Sequence, residues 1–200
     1  MPAVTIREMR DAENRAMASG MTEEEILNHA GTRLGHAIAK FFPKQGHAIA
    51  YLGKGHNAGD ALVALRILRD FYGWKISSRL SHPIDACAPL TRKKWNELSN
   101  AENLSAMPNW QSCDRPLILI DALLGIGAQG PMREPLLAMA NEMCWMRENA
   151  GARIVAVDLP SGLDADSGTA TPGSVTADLT LMIGLAKRGL LMSHAATHTG

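Results

Sequence analysis

The sequence is short of cysteine, of net charge and of long apolar runs, and each shortage removes a class of protein. Three cysteines, Cys87, Cys113 and Cys144, are spread through 200 residues. They form no CxxC pair and are odd in number, so neither a zinc knuckle nor a disulfide framework is supported, and a reducing compartment is indicated. Twenty Lys+Arg balance twenty Asp+Glu, with a pI of about 7.1. That balance argues against a dedicated nucleic-acid or membrane-surface binder, which normally carries a basic excess. No apolar run approaches the roughly 20 residues of a membrane span. The start, Met1-Pro2-Ala3-Val4-Thr5-Ile6-Arg7, has no apolar core of a secretory signal,. The chain therefore reads as cytoplasmic. There is no HxH or HExxH, no G-x-S-x-G and no G-x-x-x-x-G-K-[ST], which demotes histidine-bound metals, serine nucleophiles and P-loop phosphoryl transfer,.

What is present suits a globular protein. Hydrophobic residues make up 46% and charged residues 20%, enough to bury one sizeable core. We find no internal repeat, low-complexity segment or linker, so residues 1–200 read as one domain. The first 45 residues read as helices, with apolar positions near a 3.6-residue period. Thr22 and Glu25 offer a capping box ahead of Ile26, Leu27, Ala30, Leu34, Ala37, Ile38 and Phe41,. The pattern then changes. Strands are expected at 48–52, 74–80, 117–120, 154–157 and 179–183, and helices at 61–71, 90–98 and 134–148. Leu62, Leu65, Leu68 and Phe71 would share one side of the first of these helices, and the stretch from 99 to 115 reads as irregular. Continuously apolar strands alternating with helices imply a parallel sheet covered on both faces. The fold class is α/β: a Rossmann-like three-layer αβα arrangement with a mainly parallel sheet and additional N-terminal helices.

In such sheets ligands bind beyond the carboxyl ends of the strands. After the first apolar run comes Gly53-Lys54-Gly55-His56-Asn57-Ala58-Gly59-Asp60; after the third, Asp121-Ala122-Leu123-Leu124-Gly125-Ile126-Gly127-Ala128-Gln129-Gly130. After the fourth comes Asp158-Leu159-Pro160-Ser161-Gly162-Leu163-Asp164. Gly53, Gly55 and Ala58 satisfy G-x-G-x-x-A, and Gly125, Gly127 and Gly130 satisfy G-x-G-x-x-G. Such spacing suits close approach of phosphate to the N-terminus of a helix. Asp60 reads equally as a ligand for a ribose diol or as a cap on the following helix. Asp121 and Asp158 each directly follow a buried strand, where a carboxylate is costly unless hydrogen-bonded, paired or metal-bound, although capping of their loops also accounts for them. Asn57, Asp121 and Ser161 together offer an amide, a carboxylate and a hydroxyl, a set of hard oxygen donors. No acid closes the second strand, which runs toward Arg79, and this weakens an NAD-dependent dehydrogenase reading.

Taken in order, the loops resemble a known family. The first resembles its GxGNNGGDG loop, Asp121 to Gly127 its DALFGTG segment, and Val157 to Gly168 its VDIPSGLDADTG segment. Leu27-Asn28-His29-Ala30-Gly31 resembles its LMExAG helix, and Ala177-Asp178-Leu179-Thr180 through Ala186-Lys187-Arg188-Gly189-Leu190 its closing AD-T…K-GL pattern. This is the YjeF N-terminal domain family, the NAD(P)H-hydrate epimerases. The resemblance implies an enzyme, commonly a homodimer, that interconverts the R and S forms of hydrated NADH and NADPH. A partner dehydratase, in some chains fused to the epimerase, consumes the S form. It further implies a potassium ion held by Asn57, Asp121 and Ser161. Substrate contacts would come from His56, Asn57, Ala58, Gly59 and Asp60, from Gly125, Ile126, Gly127, Ala128, Gln129, Gly130 and Pro131, and from Asp158. Asp158 is the expected acid–base residue.

Three positions depart from the family pattern: His56 stands for the first Asn, Ala58 for the first Gly of the pair, and Ala61 for the Gly after Asp60. A positive φ at Ala58 would be costly. Gly200 falls about where the family adds a final strand, so a fragment of a longer chain is one reading. A non-catalytic nucleotide-binding or scaffold module of the same fold is the alternative function.

Overall fold

The computed structural model describes residues 3–98 and 101–200. Met1 and Pro2, in the start expected to carry no secretory signal, and Ser99 and Asn100 of the stretch read as irregular, lie outside the described residues. Two helices come first, α1 (Ile6–Ala18) and α2 (Glu23–Phe41). Each opens with a capping box. Thr22 and Glu25 behave as expected, the Thr22 amide donating to Glu25 Oε2 at 2.8 Å and the Glu25 amide to Thr22 Oγ1 at 3.2 Å. Thr5 and Glu8 repeat the device on α1.

The rest alternates: β1 (His47–Leu52), α3 (His56–Tyr72), β2 (Lys75–Leu80), α4 (Pro89–Glu97), β3 (Glu102–Asn103), β4 (Leu117–Ala122), α5 (Leu136–Ala150), β5 (Arg153–Val157) and β6 (Leu179–Leu181). Short helical turns and a final four-residue helix, α6 (Ala196–Thr199), follow. The six strands form one sheet in the order β3-β2-β1-β4-β5-β6, every pairing parallel. The register pairs Leu52 with both Leu80 and Ala122, so three central strands end level and their following segments meet above one edge. No helix among the described residues is long and apolar enough to cross a membrane.

Because side chains alternate across a strand, β1 serves two cores. Ala48, Ala50 and Leu52 face the layer of α2, α3 and α4, whereas Ile49 and Tyr51 face α5. The small alanines let α3 lie close on the sheet. α2 then packs on α3 through Gly31 and Gly35: a Cβ at these positions would stand 2.5 Å from the Val63 Cβ and 2.6 Å from the Ile67 Cβ.

Four local expectations are corrected. α3 starts at His56, five residues early, because Gly55 is its N-cap rather than part of a longer turn. Asp121 lies within β4, whose ladder continues through Ala122 beside Leu52. Glu102 and Asn103, in the stretch read as irregular, form a short parallel edge strand against Ser77 and Ser78. Phe71 is 69% exposed; it stands a turn beyond the buried face of α3, edge-on to His36.

Candidate active site

The segments after β1, β2, β4, β5 and β6 line a cavity of about 550 Å³. Gly53 makes the enclosure tight, since a Cβ there would run into the Leu123 carbonyl. One wall is the first turn of α3. Gly55 caps it with no side-chain bond and takes the Ala58 amide on its carbonyl at 3.2 Å, so the His56 and Asn57 amides are the ones open to an anion, which the helix dipole favours there. His56, Asn57 and Asp60 of α3 line the cavity, as do Gly125, Ile126, Gly127 and Ala128 of the glycine-rich segment after β4.

Not every expected contact residue reaches this space. Ala58 is helical and fully buried, so the feared positive φ is not demanded of it. Gly59 faces the other way, its missing Cβ directed at Leu27 and Thr91. Gly130 lines a second cavity of about 260 Å³, on the far side of the same segment, beside Asp164, Ser167 and Thr171. Gln129 and Pro131 line neither cavity. Asp60 caps nothing: it stands in the second turn of α3.

Asp158 closes β5 and lines the cavity. It is the one non-glycine residue with positive φ (69°) among the described residues, a conformation that aspartate tolerates better than most side chains. Its Oδ1 accepts from the Ile183 amide at 2.9 Å and from the ammonium of Lys187. Lys187 is wholly buried, and it also donates to the Ile183 carbonyl at 2.6 Å. No hydrogen bond falls on Asp158 Oδ2 among the described residues. The lysine is held from the N-terminus: Val4 pairs with it as an isolated bridge, and the Arg188 amide donates to the Val4 carbonyl at 2.8 Å. The same docking carries Met9, Arg10 and Glu13 of α1 to the cavity. Burial raises the Glu13 carboxyl above its ordinary range; Lys187 counters this and Asp158 adds to it.

Beneath the cavity floor, Asn57, Asp121 and Ser161 tie three segments together. Asp121 is fully buried. Its Oδ1 accepts from the Ser161 hydroxyl at 2.6 Å and its Oδ2 from the Ser161 amide at 2.7 Å. The Leu124 amide donates to Ser161 Oγ at 3.0 Å. Asn57 Nδ2 donates to the carbonyls of Leu124 at 2.9 Å and Val157 at 3.1 Å. Desolvation pushes the Asp121 carboxyl up to about 6 against the pull of these bonds. Asp121 and Ser161 are absent from the cavity wall, while Asn57 belongs to both sets. Loop tying is therefore a real part of what Asp121 does.

Sequence reasoning missed Lys187 as a site residue, along with Met9, Arg10, Glu13, Lys54 and His82, all of which line the cavity. Lys187 was legible only as part of the closing family pattern. The α1 residues carry no local signal, because the Val4 bridge that brings them to the site spans almost the whole chain.

Comparison with known proteins sets this geometry in context. The sequence profile of the family described as YjeF-related protein N-terminus matches residues 23–189. The NAD(P)H-hydrate epimerase of Rhodobacter capsulatus is 32% identical over 90% of this chain and 86% of its own length. That of Elusimicrobium minutum is 34% identical, covering 96% of this chain and 89% of its own. The bifunctional NAD(P)H-hydrate repair enzyme Nnr of Gloeobacter violaceus is 33% identical over 96% of this chain, which spans only 37% of that longer protein. In fold, the crystal structure of yeast ynu0 superposes over all of this chain and 85% of its own, with a TM-score of 0.83 at 22% identity. A profile matched from the second helix to the segment bearing Lys187, together with relatives a third identical along most of their length, places the chain in the YjeF-related protein N-terminus family.

Proposed function

We propose that this chain is an NAD(P)H-hydrate epimerase, interconverting the R and S forms of hydrated NADH and NADPH in the repair of damaged nicotinamide cofactors. The observation that carries the reading is the Asp158–Lys187 ion pair, set in a cavity of about 550 Å³ walled by the N-terminus of α3, with Asp158 Oδ2 unbonded among the described residues. The names of the relatives from Rhodobacter capsulatus and Elusimicrobium minutum agree with it.

The substrate carries a hydroxyl on a ring carbon next to nitrogen. Loss of that hydroxyl as water leaves a planar iminium-like ring, and re-addition of water to the other face inverts the centre. Asp158 is the acid–base residue, placed to move a proton at the substrate oxygen. Lys187 holds one of its oxygens and so fixes the direction of the other. The open amides of α3 and the segment from Gly125 to Ala128 bind and orient the dinucleotide.

The potassium ion implied by the family fits the chemistry present. Asn57, Asp121 and Ser161 supply only hard oxygen donors apart from one amide nitrogen, and among the described residues the buried Asp121 carboxylate has no cationic side chain as a partner. These three residues would hold the ion, which when bound supplies positive charge beneath the loops and steadies their positions. A homodimer in the cytoplasm, passing the S form to a dehydratase on a separate or fused chain, completes the reading; the bifunctional relatives support the fused arrangement.

A non-catalytic module is disfavoured because Asn57, Asp121, Asp158 and Ser161 all stand in place. A dehydrogenase is disfavoured because Arg79, near the end of β2, is paired with Glu142 at 2.9 Å and no acid stands at that strand end, where Leu80 and Ser81 follow. Mixing the purified protein with R-hydrate and an S-specific dehydratase tests the proposal. Consumption of the R form, dependent on this chain, is expected; its persistence would overturn the reading.

A further inference from the structure

The cavity holds a carboxyl group that the scheme above leaves idle. Asp60 stands in the second turn of α3, lines the cavity and is 9% exposed. Its carboxyl makes no hydrogen bond and no ion pair among the described residues. Asp158, by contrast, is bound by Lys187 and the Ile183 amide. The elements around this turn bring Glu13 from α1, Asp158 from the end of β5, and Lys187. α2 presents Leu27 and Gly31 here and α4 presents Thr91, none of them titratable. Of the cations on this wall, Arg10 acts on Glu13, Lys54 and the imidazoles of His56 and His82 also line the cavity, and the buried ammonium of Lys187 is held by Asp158. Burial first, and the charges of Asp158 and Glu13 next, push the Asp60 carboxyl well above the usual carboxylate range. A carboxyl group biased toward its protonated form, lining one cavity with an ion-paired carboxylate, is the kind of pair by which enzymes divide proton donation from proton acceptance.

We propose that Asp60 is a catalytic residue of the epimerisation, donating the proton that lets the hydroxyl leave, while Asp158 accepts the proton when water returns. The assignment rests on the epimerase reading and divides the acid–base work given there to Asp158 alone. The Asp60 proton passes to the substrate hydroxyl oxygen. The carbon–oxygen bond breaks, its electron pair leaves with the oxygen as water, and the nitrogen lone pair closes a C=N bond. A water oxygen then bonds to the same carbon on the other face. The C=N pair returns to nitrogen, and Asp158 takes the proton that water sheds. One proton has moved from Asp60 to Asp158, and this is the starting state for the reverse reaction. Passage of that proton back through cavity water restores the first state.

Asp60→Asn keeps the shape and removes the acid; Asp60→Glu restores one. In the dehydratase-coupled assay we expect Asp60→Asn to lower kcat by about 100-fold or more, the scale of a lost general acid, with KM little changed and partial recovery in Asp60→Glu. Carbon-13 carboxyl NMR of the wild-type protein, assigned by the signal lost in Asp60→Asn, should show Asp60 protonated at pH 7. A wild type that turns over while Asp60→Asn keeps its kcat contradicts the role alone. So does an Asp60 signal already ionised at pH 7, a result that stands even where the variant folds poorly. A wild type without turnover contradicts the epimerase reading and this role with it.

Discussion

Asn57 shows how much one amide does here. It bonds the carbonyls that follow β4 and close β5, so the loop bearing the glycines and the strand end bearing Asp158 share a single support. Asn57→Ala breaks both bonds: the Leu124 carbonyl loses its side-chain donor, at about 1–3 kcal/mol, while the Val157 carbonyl keeps only the Leu159 amide, 2.9 Å away. We expect a lower Tm and a larger loss of kcat than of substrate affinity, measured by thermal melts and steady-state kinetics; unchanged kinetics would deny the amide its supporting role. A second residue, far from the site, sets a pH response. His47 is buried at the start of β1, its Nε2 2.8 Å from Ser77 Oγ, and burial lowers its pKa from 6.5 to about 4. The folded state therefore binds fewer protons than the unfolded chain between those values. Its contribution is whole above pH 6.5, is lost as pH falls toward 4, and amounts to roughly 3 kcal/mol at most. Urea unfolding at pH 7 and pH 4.5 should show this loss shrinking in His47→Gln; an equal loss in both proteins would exclude His47 as its source. Residues whose chemistry and loop position coincide, such as Asp158, could be found from sequence. Lys187 could be found only through the closing family pattern, because nothing in its residue type tells that the fold buries it.

The elements were legible where local physics decides them. The Thr22–Glu25 capping box, the two-faced apolar strands and most helix cores follow directly from residue type. Boundaries failed where chain context decides. β4 keeps Asp121 in its ladder because Tyr51 stands beside it, although an apolar run ends at Ile120. α3 absorbs His56 to Asp60 because a glycine that reads as a turn also serves as an N-cap. The seam between α2 and α3 is the element-level feature most exposed to test. Gly35→Ala sets a methyl against the Ile67 Cβ with no void to take it, so the helices must part, at about 1–3 kcal/mol. A matching drop in thermal stability, with activity at low temperature retained, is the expected result; full stability would show that the seam can yield.

Across the described residues, a parallel sheet delivers five segments to one edge, and the N-terminal helix adds a wall to the cavity there from outside the Rossmann-like core. The parallel sheet and the shared edge of its loops followed from the sequence; the strand order did not. Nor did the wall from α1, because it depends on pairing between residues at opposite ends of the chain. The oxygen donors of Asn57, Asp121 and Ser161 lie beneath all of this, so an ion there would act on the loops together. We expect potassium, against choline at equal ionic strength, to raise both Tm and epimerase turnover, and Asp121→Asn to abolish the difference. Equal behaviour in the two salts would remove the ion from the account. The central claim is that Asp158, fixed by Lys187, carries proton transfer in an epimerase, and the coupled assay with R-hydrate and an S-specific dehydratase tests it most directly. The account predicts that the wild-type protein consumes the R form and that Asp158→Ala, folded by circular dichroism, does not; a folded Asp158→Ala protein with wild-type turnover would contradict it.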